Sequence, residues 1–204
     1  YGELRYQGEA LPPLKQLDRS GSTVLLRSFS KVAFPGLRVG WITAPSALIA
    51  LLTEAKQLVD LHTDHLSQAV LLQFAESGRL AEHQARVLAA GADCLAAALE
   101  SCERCLPAGT RFTRPRGGMN LWVRLPAPLD SLDLLSRAER EGVTYLPGRY
   151  FEVARREPGG LRLSFAGLPP EKIRRGVAVL GKVFSSELER LGAPRRAEPA
   201  PAMV

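Results

Sequence analysis

Lys31 lies in the string Ser28-Phe29-Ser30-Lys31-Val32-Ala33-Phe34-Pro35-Gly36-Leu37-Arg38, and its neighbours suit covalent chemistry on a carbonyl. A lysine amine is nucleophilic only when neutral, and burial between apolar strands favours the neutral form. Such an amine is what Schiff-base chemistry requires. Ser28 and Ser30 place two hydroxyls just before the lysine, and Arg38 follows a Pro-Gly turn. Hydroxyl donors, a guanidinium fork and a glycine that admits close backbone approach are together suited to holding an anion. On spacing alone, the same residues also read as solvated charges in a loop.

Two apolar runs must position this loop: Val24-Leu25-Leu26 before it and Val39-Gly40-Trp41-Ile42 after it, both of β type. Asp18-Arg19-Ser20-Gly21-Ser22 predicts a turn into the first strand. Upstream, Leu11-Pro12-Pro13-Leu14 reads as extended and polyproline-like. After the second strand, Pro45-Ser46 begins a helix, and the Asp- and His-bearing stretch 58–65 reads as polar surface or a substrate-side loop. A helix over 67–78 closes on Gly78, and a longer one over 80–103 is weakened near Gly91.

Strand-like segments then flank Pro115-Arg116-Gly117-Gly118, where the double glycine predicts a bulge or a close backbone approach. An amphipathic helix over 131–141 and a short strand over 143–148 follow. Leu161-Arg162-Leu163-Ser164-Phe165 alternates with period two, which puts Arg162 and Ser164 on one face. Pro169-Pro170-Glu171 opens a last helix to about Leu191, with Ile173, Val177, Leu180, Val183, Phe184 and Leu188 at helical spacing. The Pro/Ala-rich end, 192–204, reads as a disordered tail.

The 204 residues are 46% hydrophobic and 24% charged, an ordinary composition for a soluble globular protein. No apolar run approaches the roughly 20 residues of a membrane span, so no membrane partner is expected. The net charge of +6 comes from scattered Lys and Arg, so no nucleic-acid stripe is indicated. Cys94, Cys102 and Cys105 make an odd count. Cys102-Glu103-Arg104-Cys105 has a redox or half-zinc spacing, but no second pair follows it. Ordinary thiols in a reducing, cytoplasmic compartment are expected. His62 and His65 could share a helix face as metal ligands, but no third ligand has a clear spacing, and no metal site is expected.

The string Ser-Phe-Ser-Lys, three residues, then Pro-Gly-Leu-Arg-Val-Gly-Trp closely resembles the cofactor-lysine signature of fold-type I, class I/II pyridoxal-phosphate-dependent aminotransferases. The serines, lysine, Pro-Gly and arginine are all in register. The openings Tyr1-Gly2-Glu3-Leu4-Arg5-Tyr6 and Leu11-Pro12-Pro13-Leu14 resemble 2-aminoadipate aminotransferases and the aminotransferase-like domain of GntR-type regulators alike. Pro115-x-Gly-Gly-x-x-x-Trp122 resembles the family's first small-domain strands. Leu161–Phe165 resembles the strand whose arginine clamps the substrate α-carboxylate. One departure is Ala89-Ala90-Gly91-Ala92-Asp93, where many relatives carry a Tyr and an Arg-Arg pair.

This resemblance implies an α/β fold: the C-terminal part of an aspartate aminotransferase-like large domain, then a small α+β domain. The expected divisions are 1–80 for the large-domain part, 81–105 for a long interdomain helix, 106–191 for the small domain and 192–204 for the tail. The resemblance covers only the second half of the family's fold, and the chain opens on Tyr1 as if cut from something longer. By resemblance, Lys31 holds pyridoxal 5'-phosphate as a Schiff base and shuttles the α-proton. Ser28, Ser30 and Arg38 hold the phosphate, Tyr1 donates to the cofactor's phenolic oxygen, and Arg162 binds the substrate carboxylate. Amino-acid and 2-oxo-acid substrates and a homodimer are implied. The alternative is the effector domain of a winged-helix regulator, and nucleic acid is a partner only if that winged helix exists.

Overall fold

The computed structural model describes residues 2–153 and 157–192, which divide into two compact units. Tyr1 and the expected tail from 193 onward lie outside the described residues.

The first unit spans 1–92 with 116–118. A short helical turn, α1 (Leu14–Leu17), follows the Pro12-Pro13 pair. The expected turn at Asp18 is tied by its own carboxylate, which accepts from the backbone of Thr23 at 2.7 Å, Ser20 at 2.9 Å and Gly21 at 3.1 Å. The Thr23 backbone bond first, and then the bond from the Ser20 hydroxyl at 2.8 Å, hold the Asp18 carboxyl well below the usual range.

β1 (Leu25–Ser28) and β2 (Gly40–Thr43) pair antiparallel, with Leu25 opposite Thr43 and Ser28 opposite Gly40. Gly40 is required there: a Cβ would come within 2.7 Å of the Arg27 carbonyl oxygen. Three helices follow: α2 (Ser46–Val59), α3 (His65–Glu76) and α4 (Arg79–Cys105). α3 begins two residues before its predicted start because the Asp64 side chain accepts from the Ser67 backbone at 2.7 Å, capping the first turn.

The double glycine makes the close approach that its sequence suggests. Gly118 N–H donates to the Leu4 carbonyl at 2.7 Å, and a Cβ on Gly117 would sit 2.2 Å from that same oxygen. Tyr6 and Gln7 N–H groups bond the Arg116 carbonyl, and the Tyr6 hydroxyl donates to the Gly118 carbonyl at 2.7 Å. α4 shows no break at Gly91, contrary to the expected weak point. The glycine has a packing role instead, because a Cβ there would lie 2.4 Å from the Tyr6 ring.

The second unit, 93–115 with 119 onward, is built on a four-stranded antiparallel sheet. The strands are β3 (Arg111–Phe112), β4 (Asn120–Arg124), β5 (Leu146–Pro147) and β6 (Gly160–Ser164), in the order β3-β4-β6-β5. β5 is two residues long rather than the predicted run over 143–148, since Gly148–Tyr150 turns as a 3-10 helix directly after it. α5 (Ser131–Arg140) and α6 (Pro170–Gly192) complete the unit.

Of the stripe predicted from its spacing, α6 buries Ile173, Val177, Leu180, Val183 and Phe184, while Leu188 is half-buried. That stripe shares a core with Leu121, Val123, Leu161 and Leu163 from the sheet and with Leu95, Ala98 and Cys102 from α4. Gly181 admits the carbonyl of Cys105, which would lie 2.1 Å from a Cβ. Two polar pairs lie within this packing, the Tyr145 hydroxyl donating to the Ser131 carbonyl at 2.7 Å and Arg137 of α5 meeting Glu187 of α6, whereas the buried Ser101 Oγ has no partner among the described residues.

Candidate active site

Lys31 ends a 3-10 turn, Phe29–Lys31, that leaves β1 directly. Ser28 fixes this turn, its Oγ accepting from Ser30 N–H at 3.0 Å and donating to the Val39 carbonyl at 3.4 Å. Phe29 N–H bonds the same carbonyl at 3.1 Å, so the two ends of the loop are laced together. A second 3-10 turn, Pro35–Leu37, delivers Arg38 in the left-handed region at φ 54° and ψ 39°. A non-glycine residue held there stores local strain, a feature that concentrates at functional sites.

Arg38 Nη1 donates to Ser30 Oγ at 3.2 Å and to the Pro35 carbonyl at 3.1 Å. The structure therefore brings Ser28, Ser30, Lys31 and Arg38 onto one closed loop. Among the described residues no carboxylate pairs with Lys31 or Arg38. One guanidinium, two hydroxyls and no paired acid form a donor set that fits a phosphate ester beside the lysine amine.

Contrary to expectation, Lys31 is not buried between strands but exposed. β1 and β2 form a two-stranded sheet that buries none of its residues, so it cannot enclose the side chain that follows. The apex of the loop is anchored by contacts that the sequence reading missed. Phe34 lies 4.8 Å from Phe74 and stacks on His83 at 6.5 Å, tying the loop to α3 and α4. An apolar side chain just before Pro-Gly was the available signal.

Arg162 belongs to the second unit, on β6, and carries its own aromatic surroundings. Its guanidinium lies over Phe151, 4.9 Å from the ring centre. Tyr1 lies outside the described residues, so its expected role has no geometry here.

The thiols play no part in this set. Burial pushes the Cys102 thiol up to about 12, and it raises Cys94, whose Sγ lies 3.2 Å from the Leu168 carbonyl. His62 and His65 stack at 4.4 Å, and no group of three metal-ligating side chains occurs among the described residues. No described helix is long and apolar enough to cross a membrane.

A family profile described as aminotransferase class I and II matches residues 1–180. The aromatic-amino-acid aminotransferase 1 of Thermococcus litoralis is 38% identical over 190 residues, which is 93% of this chain and 46% of that protein. The HTH-type transcriptional regulator TauR of Rhodobacter capsulatus is 32% identical over 186 residues, 89% of this chain and 38% of the regulator. Among solved structures, the α-aminoadipate aminotransferase LysN of Thermus thermophilus superposes with a TM-score of 0.87 at 36% identity, covering 93% of this chain and 49% of that one. That crystal structure is of a complex with N-(5'-phosphopyridoxyl)-L-leucine. The chain thus spans about half the length, or less, of the relatives it matches.

Proposed function

The chain belongs to the aminotransferase class I and II family, and from that premise we propose that it supplies the lysine-bearing part of a pyridoxal-phosphate-dependent enzyme. Its reaction is amino-group transfer between an amino acid and a 2-oxo acid. The observation that supports this most is the loop that presents Lys31 beside Ser28, Ser30 and an Arg38 that has no acidic partner among the described residues.

When bound, pyridoxal phosphate supplies the electron sink for the carbon that loses its proton. The chain's residues do the rest. The Lys31 Nζ is the nucleophile that holds the cofactor covalently and then carries the α-proton. The Ser28 and Ser30 hydroxyls and the Arg38 guanidinium bind the phosphate. Arg162 binds the substrate α-carboxylate with two parallel N–H bonds, which orients the α-carbon. Tyr1 is assigned to the cofactor's phenolic oxygen. Three unpaired thiols suit a cytoplasmic compartment, and the uncovered apolar residues of the first unit suit a homodimer completed by the rest of the family fold.

A second reading is favoured by matches to transcriptional regulators, such as that to TauR over 89% of the chain. On that reading the same residues bind an amino acid for a winged-helix regulator, and only the winged helix touches DNA.

The test uses the full-length protein incubated with pyridoxal phosphate, reduced with borohydride and digested for mass analysis. The covalent adduct is expected on Lys31 and absent from Lys31→Ala. Arg38→Ala should weaken cofactor retention by roughly 10- to 100-fold, the equivalent of one charge-assisted bond of about 1.5–3 kcal/mol. An adduct that persists in Lys31→Ala overturns the assignment. Turnover with 2-oxoglutarate separates the enzyme from a regulator that binds its amino acid without transferring the amino group.

A further inference from the structure

β6 carries Arg162 between two buried leucines, Leu161 and Leu163, so its side chain emerges on the opposite face of the sheet. Register places Trp122 of β4 on one side of it and Leu146 of β5 on the other. Phe151 follows the 3-10 turn Gly148–Tyr150, its N–H bonded to the Gly148 carbonyl at 2.8 Å. From there its ring reaches the guanidinium of Arg162 at 4.9 Å. Trp122 braces the same ring edge-on, with centroids 5.9 Å apart and planes at 78°. Gly160 leaves room for the indole, since a Cβ there would be 3.0 Å from Trp122 Cζ2. Neither acid nearby in sequence pairs with Arg162: Glu157 pairs with Arg124, and Glu152 accepts from the Glu157 backbone through Oε2 while its Oε1 is buried without a partner among the described residues.

We propose that Phe151 is a positioning residue for Arg162, holding its guanidinium through the ring face so that a substrate carboxylate meets it already oriented. The inference rests on the assignment of Arg162 to that carboxylate. An arginine awaiting an anion faces two difficulties. Left free, its long side chain has rotamer entropy to lose on binding. Paired with an acid of its own protein, it must first be stripped of that partner. An aromatic face avoids both. The ring attracts the cation electrostatically without neutralising it. It also takes up no conventional acceptor of its own protein, so the guanidinium's N–H donors stay open to the incoming carboxylate. Phe151 is 47% exposed, so it is placed beside the arginine rather than sunk in the core.

The test measures binding of 3-phenylpropionate to the full-length, cofactor-loaded protein by calorimetry. 3-Phenylpropionamide, the same body without the carboxylate, is the control. Phe151→Leu should weaken the acid by about 2- to 5-fold, the range of one exposed cation–π contact, and leave the amide unchanged. Phe151→Tyr should behave as the parent. Pentafluorophenylalanine at 151 keeps the shape and reverses the ring's electrostatics, so it should weaken the acid as leucine does and serves if the leucine variant does not fold. In an Arg162→Ala background, Phe151→Leu should have no further effect. KM for the amino acid should rise in parallel while kcat stays within about twofold.

Equal weakening of acid and amide, the same loss in the Arg162→Ala background, or parental binding by both Phe151→Leu and the fluorinated variant each overturn the proposal. If Arg162→Ala itself leaves acid binding intact, the carboxylate assignment fails and the inference fails with it. If Arg162→Ala loses the acid and the position-151 variants do not, only the positioning role is lost.

Discussion

Among the described residues, Leu4, Val32 and Leu71 are the buried hydrophobic residues of the first unit, whereas the second buries apolar side chains from every layer of its sheet and helices. In the first unit Leu58 is 91% exposed and Val59 83%, with Leu26 and Leu51 also largely open. A fully buried leucine contributes about 1.5–3 kcal/mol, and these contribute little of it. The first unit holds its shape by directional contacts: the Asp18 turn, the Ser28 lacing and the backbone approach at Gly117-Gly118. The second holds its shape by core burial. The phosphate-type donor set therefore rides on the unit with the weaker core, and the arginine assigned to substrate rides on the unit with the stronger one.

The sharpest way to break this comparison is amide exchange on the 204-residue chain by itself. Core strands open with something near the global unfolding free energy, while poorly covered segments open at almost no cost. Amides of β4, β6 and α6 are expected to exchange at least about 1,000-fold more slowly than those of β1, β2 and α2. The isolated chain is likewise expected not to hold pyridoxal phosphate stoichiometrically or to transaminate. Uniform protection from residue 2 onward would show that the first unit is stable without further cover.

Single truncations sharpen the contrast at the next scale. Phe184 is fully buried and meets Tyr145 edge-on at 5.9 Å. Phe184→Ala should cost about 3–5 kcal/mol in denaturant unfolding, from lost transfer and the cavity left behind. Leu58→Ala, at 91% exposure, should change stability by no more than about 0.5 kcal/mol. Comparable losses for the two would mean that Leu58 is covered in solution and the first unit has a core of its own.

The lysine loop was legible because Ser28, Ser30, Lys31 and Arg38 are near neighbours along the chain, so their types and spacing already described the donor set. The stripe on α6 was legible for a related reason, since helical periodicity is local. Exposure of Lys31 was not legible, because an apolar run predicts a strand without saying what will cover it. Trp122 and Phe151 around Arg162 were hidden as well: their meeting depends on strand register and a 3-10 turn rather than on sequence neighbourhood. Gly91 was misread for the same reason. Helix propensity marks a glycine as a weak point, but the ring that needs its space comes from Tyr6, far away in the chain.

Gly91 provides the finest of these tests, because its sign separates local propensity from tertiary fit. In an open helix interior, replacing glycine by alanine stabilises by about 1 kcal/mol. Here the new methyl would lie 2.4 Å from Cε1 and Cζ of Tyr6 and 2.6 Å from its hydroxyl oxygen. The ring cannot simply move aside. Its hydroxyl donates to the Gly118 carbonyl, and its backbone N–H is held by the Arg116 carbonyl at 2.8 Å. Overpacking of this kind costs about 1–3 kcal/mol, which exceeds the propensity gain. Gly91→Ala should therefore destabilise the full-length protein by about 1 kcal/mol, the reverse of the ordinary sign. In a Tyr6→Ala background the clash is gone, and the same substitution should recover the ordinary stabilisation. If Gly91→Ala stabilises the parent protein outright, Tyr6 is not seated against α4, and the directional contacts credited with holding the first unit do not include this one.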